Sequence, residues 1–304
     1  MPKYYHGVNE RRCDDGYPPC CGLVLLYARL GLHRYNLLQG KNLQLIRVKK
    51  YNKTFGGCVI STFYITLEVE DPAIPASLLT FQARVTELGY RRLLLKCGIA
   101  RPLGETKKKS ALKKKPLFGD MYGDKSRSEL MPDFPSENPF ENTNRFYVLD
   151  KTELQAHDWI QLYLDLAVAT TNRSLEQDRY APTNLKILKV SIETTQDPET
   201  PNQGHDVYDA TFYIRYKDSC QARVGKDVDR IAVIRRILDK NTGDLRLLGR
   251  NESSLSIIPK KAKKSRFRPL LGVHKPWRLS SLRLRKSYKN PGVGFARRHK
   301  TKSI

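Results

Sequence analysis

The histidines and cysteines are the residues of this chain best suited to bond making or metal binding, and neither set has the spacing such chemistry needs. His6, His33, His157, His205, His274 and His299 are scattered, with no nucleophile or carboxylate at motif spacing. No Gly-x-x-x-x-Gly-Lys loop is present to cradle phosphates. Cys13, Cys20 and Cys21 could be grouped with His6 or His33 as zinc ligands, but the chain has no Cys-x-x-Cys pair. With no secretory signal evident in the first 12 residues, the six cysteines are expected to stay reduced in an intracellular compartment. Asp227, Asp229 and Asp239 lie close in sequence, but strand alternation and turns account for them. His33 reads as a partly buried helix residue. We therefore assign no catalytic, cofactor-binding or metal residues, expect no cofactor, and read the protein as non-enzymatic.

The chemistry that the sequence does offer is cationic. Net charge is +24, and the stretch 259–304 holds 16 of the 55 Lys and Arg with no Asp or Glu. Six more lysines, Lys107, Lys108, Lys109, Lys113, Lys114 and Lys115, form a second cluster. Outside these two stretches the chain is nearly neutral, so the basicity is attached to the folded parts and does not describe their surfaces. Lys260, Lys261, Lys263, Lys264, Arg266 and Arg268 form a cluster of the kind that nuclear import receptors read. Further on, Arg283, Arg285, Lys286, Arg297 and Arg298 interleave with Tyr288 and Phe295, which supplies charge for phosphates and rings for bases. Such contact with nucleic acid would be weak and salt-sensitive.

The elements that carry these groups separate by period and composition. No apolar run reaches the roughly 18 residues that cross a bilayer, so no membrane span is expected. Residues 1–19 are rich in turn formers and read as a flexible N-terminus. In 20–103, Leu23, Leu26, Tyr27, Leu30, Leu37 and Leu38 mark an amphipathic helix that Gly40 closes. Alternating runs at 43–48, 59–69, 79–85 and 93–99 predict four strands after it. Residues 104–144, with their lysines, prolines and glycines, read as a disordered linker. From 145 to 256 the chain reads as β-rich, with strands at 159–168, 185–192, 207–216, 230–238 and 245–248; Asn241-Thr242-Gly243-Asp244 turns the last hairpin. Residues 257–304 are a basic disordered tail. An echo links the two ordered stretches: Asn42-Leu43-Gln44-Leu45 with Asn184-Leu185-Lys186-Ile187, and Thr62-Phe63-Tyr64-Ile65 with Thr211-Phe212-Tyr213-Ile214. Duplication and convergence of two amphipathic strand pairs both account for it.

Leu26-Tyr27-Ala28-Arg29-Leu30-Gly31-Leu32-His33-Arg34-Tyr35-Asn36 resembles the helix signature of plant cystatins, and Phe63 to Asp71 is similar to a following strand of that family. A longer stretch, 26–253, resembles a plant-specific cystatin-related family expanded in crucifers, whose biochemical function is unknown and which includes a male-sterility and male-meiosis factor. Gly31-Leu32-His33-Arg34-Tyr35-Asn36, Ser77-Leu78-Leu79-Thr80-Phe81-Gln82, Ile99-Ala100-Arg101-Pro102 and Asp158-Trp159-Ile160 carry that resemblance. The basic tail has no counterpart in it. A cystatin wedges a Gln-x-Val-x-Gly hairpin and a Pro-Trp hairpin into its protease. Lys53-Thr54-Phe55-Gly56-Gly57-Cys58 and Thr86-Glu87-Leu88-Gly89 stand at those places and lack both motifs.

The expectation is therefore an α+β protein, a cystatin-like helix on an antiparallel sheet followed by a second β-rich antiparallel unit. It would serve as a nuclear protein-interaction scaffold whose partners include an import receptor and meiotic or chromosomal proteins. The alternatives are a cytoplasmic cystatin-type inhibitor of cysteine proteases and a nucleic-acid binder acting through the tail.

Overall fold

The structure, a computed structural model, describes residues 8–13, 20–56, 60–74, 77–105, 132–172, 182–194, 209–226, 228–239 and 241–253. The expectations for 106–131 and for the tail after 253 lie outside them.

Ten strands form one antiparallel sheet. In chain order they are β1 (Val8–Arg12), β2 (Gln44–Gly56), β3 (Ile60–Glu70), β4 (Leu78–Glu87), β5 (Leu93–Pro102), β6 (Tyr147–Val148), β7 (Leu185–Thr194), β8 (Asp209–Asp218), β9 (Asp229–Leu238) and β10 (Leu245–Ser253). Their order across the sheet is β1-β2-β3-β4-β5-β10-β9-β8-β7-β6. Two long helices, α1 (Gly22–Gln39) and α3 (Asp158–Thr171), contact one face of it and each other. Two short helices also stand among the described residues, α2 (Lys151–Ala156) and α4 (Gln221–Val224).

Local chemistry sets the boundaries of these elements. Gly40 takes the left-handed conformation, φ 60°, that ends α1, and its N–H returns to Asn36 O. The Asn36 side chain then clasps both backbone groups of Leu43, donating at 3.0 Å and accepting at 3.1 Å, which turns the chain into β2. Asp150 and Glu153 form a reciprocal capping box at the start of α2. Gly31 brings α1 close to β4: a Cβ there would meet Ala83 Cβ at 2.5 Å.

This sheet corrects the expected fold class. A separate cystatin-like unit followed by a second sheet is replaced by one sheet, because β5 and β10 pair from Leu245↔Cys97 to Gly249↔Leu93. Alternation in sequence says which face of a strand is buried and leaves its neighbour across the edge open. Residues 159–168, read as a strand, are helical. Ile160, Leu162, Leu164, Leu166 and Val168 alternate, yet Tyr163, Asp165 and Ala167 between them are buried too. A helix enclosed by α1 on one side and the sheet on the other has no polar stripe to reveal its period. The cysteines are corrected in part as well: Cys13 and Cys20 are joined as a disulfide, while Cys97 and Cys220 are free thiols.

The two sequence echoes fall at matching places. Each half runs edge strand, long helix, then a four-strand meander, and the last strands of the two meanders form the central pair. The bulge between Leu45 and Arg47 in β2 corresponds to that between Ile187 and Lys189 in β7. Phe63 and Phe212 both sit in the core on the helix side, and Tyr64 and Tyr213 both face the other way.

One apolar core runs through both halves, from Leu23 and Phe63 to Phe212 and Leu247. The unfolding of residues 8–253 is therefore expected to be cooperative, with Trp159 fluorescence and circular dichroism giving coincident thermal transitions. Gly31→Val, which forces α1 off β4, should cost on the order of 1–3 kcal/mol in denaturant titrations. Two separated transitions would count against the single sheet.

Candidate functional site

Three places in the molecule gather groups with chemical potential. The first is buried. His33 of α1 reaches Tyr163 of α3, His33 Nε2 to Tyr163 Oη at 2.9 Å, and its ring lies 5.8 Å from that of Trp159. Arg236 of β9, 1% exposed, places its guanidinium 5.4 Å from the Trp159 ring and 5.2 Å from the Phe212 ring. Burial first, and the Arg236 charge second, push the His33 imidazole down to about 3. Burial likewise raises the Tyr163 phenol. Near by, Arg29 of α1 meets Asp165 of α3 at 3.8 Å, and burial raises that carboxyl. A neutral imidazole, an un-ionised phenol and an arginine between two rings tie the helices to each other and to the sheet.

The second place is the face of the sheet turned away from the helices. Over β7–β9 it is closed: Phe134, Phe140 and Phe146 pack with Tyr213, Ile231 and Val233, and Tyr213 Oη donates to Glu193 at 2.7 Å. Over β2–β5 no described element lies on it. Tyr64 stands there 43% exposed, between Asn52 of β2 and Arg84 of β4 in register. The next rows bring Lys50, Thr66, Gln82 and Arg101 on one side and Thr62, Thr86, Lys96 and Arg246 on the other. Gly98 makes room for Arg84: a Cβ there would lie 2.8 Å from Arg84 Nη2.

The third is an apolar rim where β3 ends and β4 begins. Ile46, Ile74, Leu78, Leu79 and Leu103 are each at least 40% exposed. Leu78 pairs with Glu70, and Leu103 N–H donates to Thr80 O, so these side chains gather at one end of the sheet.

Of the residues singled out from sequence, His33 belongs to the first place, as a buried helix residue; the predicted nuclear-localisation and nucleic-acid residues belong to none. Lys260, Lys261, Lys263, Lys264, Arg266 and Arg268, and Arg283, Arg285, Lys286, Arg297 and Arg298, all lie outside the described residues. The rim and the open face went unread because an exposed leucine at a strand end, or a lysine and an arginine on neighbouring strands, carries no mark until the register is known. Among the described residues no group of three or more His, Cys, Asp or Glu side chains converges as a metal site. No helix among them is long and apolar enough to cross a membrane.

A wide antiparallel sheet with one face closed by two helices defines the class. Comparison with known proteins places it further. Residues 131–247 match the family model described as Protein MS5. UPF0725 protein EMB2204 of Arabidopsis thaliana is 38% identical over 246 residues, covering 80% of this chain and 71% of that relative. UPF0725 protein At4g11700, from the same plant, is 48% identical over 161 residues, covering 52% of this chain and 87% of its own length. The crystal structure of MS5 from Brassica napus matches with a TM-score of 0.55 at 30% identity, over 76% of this chain and 98% of that one. The chain belongs to the plant Protein MS5 (UPF0725) family.

The buried histidine makes stability depend on pH. Its folded value, about 3, lies below that of an exposed histidine, so the unfolded chain takes up the proton first. Stability from this group is intact above about pH 6.5 and falls toward pH 3, by up to about 1.4 kcal/mol per unit. His33→Gln should flatten the slope of melting temperature between pH 7 and pH 4.5; an unchanged slope would show that His33 is not its source.

Proposed function

We propose that the protein is a non-enzymatic interaction scaffold that works in the nucleus, in male reproductive development. The apolar rim carries this reading. Ile74, Leu78 and Leu103, each more than half exposed, lie at one end of the sheet, while most other large apolar side chains among the described residues are in the core. A contiguous apolar surface of this kind is what a protein partner with an apolar patch of its own covers. The developmental setting follows from the resemblance to a family that includes a male-meiosis factor, and the nuclear setting from the basic cluster at Lys260, Lys261, Lys263 and Lys264.

Two measurements test it. Leu78→Asp with Leu103→Asp, in the full chain, should abolish the co-purification of specific partners from developing anthers while leaving the circular dichroism and melting temperature unchanged, since both side chains lie outside the core. Partners retained at wild-type yield would remove the rim from the reading. A fluorescent fusion should lose its nuclear accumulation when Lys260, Lys261, Lys263 and Lys264 become alanine, and an unaltered nuclear signal would overturn the assignment of that cluster.

A further inference from the structure

We infer that the open face of the sheet over β2–β5 is a binding platform for single-stranded nucleic acid, centred on Tyr64. The inference starts from the inequality of two matching tyrosines. Tyr64 and Tyr213 occupy equivalent places in the two halves, each on the second strand of its meander and each on the face away from the helices. Around Tyr213 the same-face residues of the next strand are Ile231 and Val233, and the aromatic rings of Phe134 and Phe146 cover it. Around Tyr64 the neighbours are Asn52, Arg84, Thr62 and Thr66; Thr62 is itself buried against Thr86, while the Tyr64 ring is 43% exposed and no described helix or loop lies over it. Where the adjacent strand offers Ile231 and Val233, phenylalanines close the face; where it offers Arg84, no described element does.

The occupant follows from the charges. Glu10 pairs with Lys50 at 3.2 Å, Glu68 with Arg47 at 2.6 Å and with Lys49 at 3.0 Å, and Asp244 with Lys96 at 2.9 Å. Glu70 stands at the far end, beside Leu78. Arg84, Arg101 and Arg246 form no ion pair among the described residues, and they lie on the neighbouring strands β4, β5 and β10. Three guanidiniums without a direct ion pair, on the strands that follow an exposed ring across the sheet, among threonine hydroxyls and the amides of Asn52 and Gln82, call for a partner that is anionic along its length and carries flat faces. A single strand offers phosphates to the arginines, a base to stack on Tyr64, and base edges to the amides. A duplex has its bases stacked away and cannot use the ring. This platform is made of residues other than the basic stretch 259–304.

The test uses the full-length protein and a fluorescein-labelled 12-nucleotide single strand of mixed sequence, read by anisotropy across a salt series. Tyr64→Ala is expected to weaken binding about 5- to 100-fold, the range for loss of one stacked base, while Tyr64→Phe keeps it. Arg84→Gln with Arg101→Gln should lower the salt slope by about 1 for each phosphate contact removed. Tyr64 is exposed and Arg84 and Arg101 are half-buried, all three outside the apolar core, so each variant should keep the wild-type circular dichroism spectrum. Substituting Arg283, Arg285, Lys286, Arg297 and Arg298 with Gln should weaken binding while leaving the Tyr64→Ala effect in place. Equal binding by Tyr64→Ala and wild type overturns the proposal, as does equal loss in Tyr64→Phe and Tyr64→Ala. Phosphatidylserine vesicles are the parallel probe: if the arginine pair controls vesicle binding and not oligonucleotide binding, the face is a membrane surface and the proposal falls.

Discussion

Everything else in the molecule depends on a short seam, the five residue pairs that join 93–97 of β5 to 245–249 of β10. Without them each half would end in a long bare strand, a template for indiscriminate pairing. With them the halves become one sheet, and α1 and α3 are brought side by side on the same face. The seam is held from both ends. Lys96 reaches Asp244 at the hairpin between β9 and β10, and Arg34 of α1 donates to Gly243 O in that same hairpin at 2.6 Å. At the other end Gly249 lies against Val233 and Leu93 with no room for a side chain. A charged clamp and a glycine together fix the register, so the pairing cannot slip by one residue and turn the core outward.

Laying two helices together over one sheet creates a problem that each half alone would not have. Between α1 and α3 both surfaces are withdrawn from water, and polar groups there must be satisfied within the protein. His33 and Tyr163 meet that demand for each other, Arg236 rests its guanidinium against the faces of Trp159 and Phe212, and Arg29 pairs with Asp165. These residues come from different halves of the chain. The polar tie therefore specifies how the halves are matched, while the leucines and valines around it supply most of the burial.

The parts of the fold legible in the sequence are those whose causes are local. Gly40 ends α1 where a left-handed residue is required, Gly243 turns the β9–β10 hairpin at φ 67°, and the alternation in β3 and β4 shows which side chains face the core. Illegible were the features set by a distant neighbour. α3 looks like a strand because its surroundings bury nearly every side of it. Residues 93–97 show that a strand is present but not that its partner lies some 150 residues on. The Cys13–Cys20 bond ties the outermost long strand pair to α1, and seven residues of separation do not announce it. The candidate surfaces are of the same kind: Tyr64, Arg84 and Arg101 sit on three different strands, and the register alone makes them neighbours. The charge of the stretch 259–304, by contrast, needs no neighbours and stands in the sequence itself.

The two halves show how one plan comes to serve two ends. Val233 in β9 and Arg84 in β4 stand opposite matching tyrosines, and that single difference in side-chain chemistry changes what can rest on the sheet. Valine and isoleucine gain by being covered, so residues 132–146 fold back over them and Phe146 becomes core. Arginine and threonine gain nothing from an apolar cover and would lose their hydration under one, and no described element lies over the corresponding surface in the first half. The apolar rim borders that surface directly, since Leu78 and Arg84 belong to the same strand, β4, and the same face. A protein held at Leu78 and a strand of nucleic acid lying across Tyr64 would thus share a border six residues long on one rigid strand. Their relative placement would be fixed by the sheet, with no domain movement needed to bring them together.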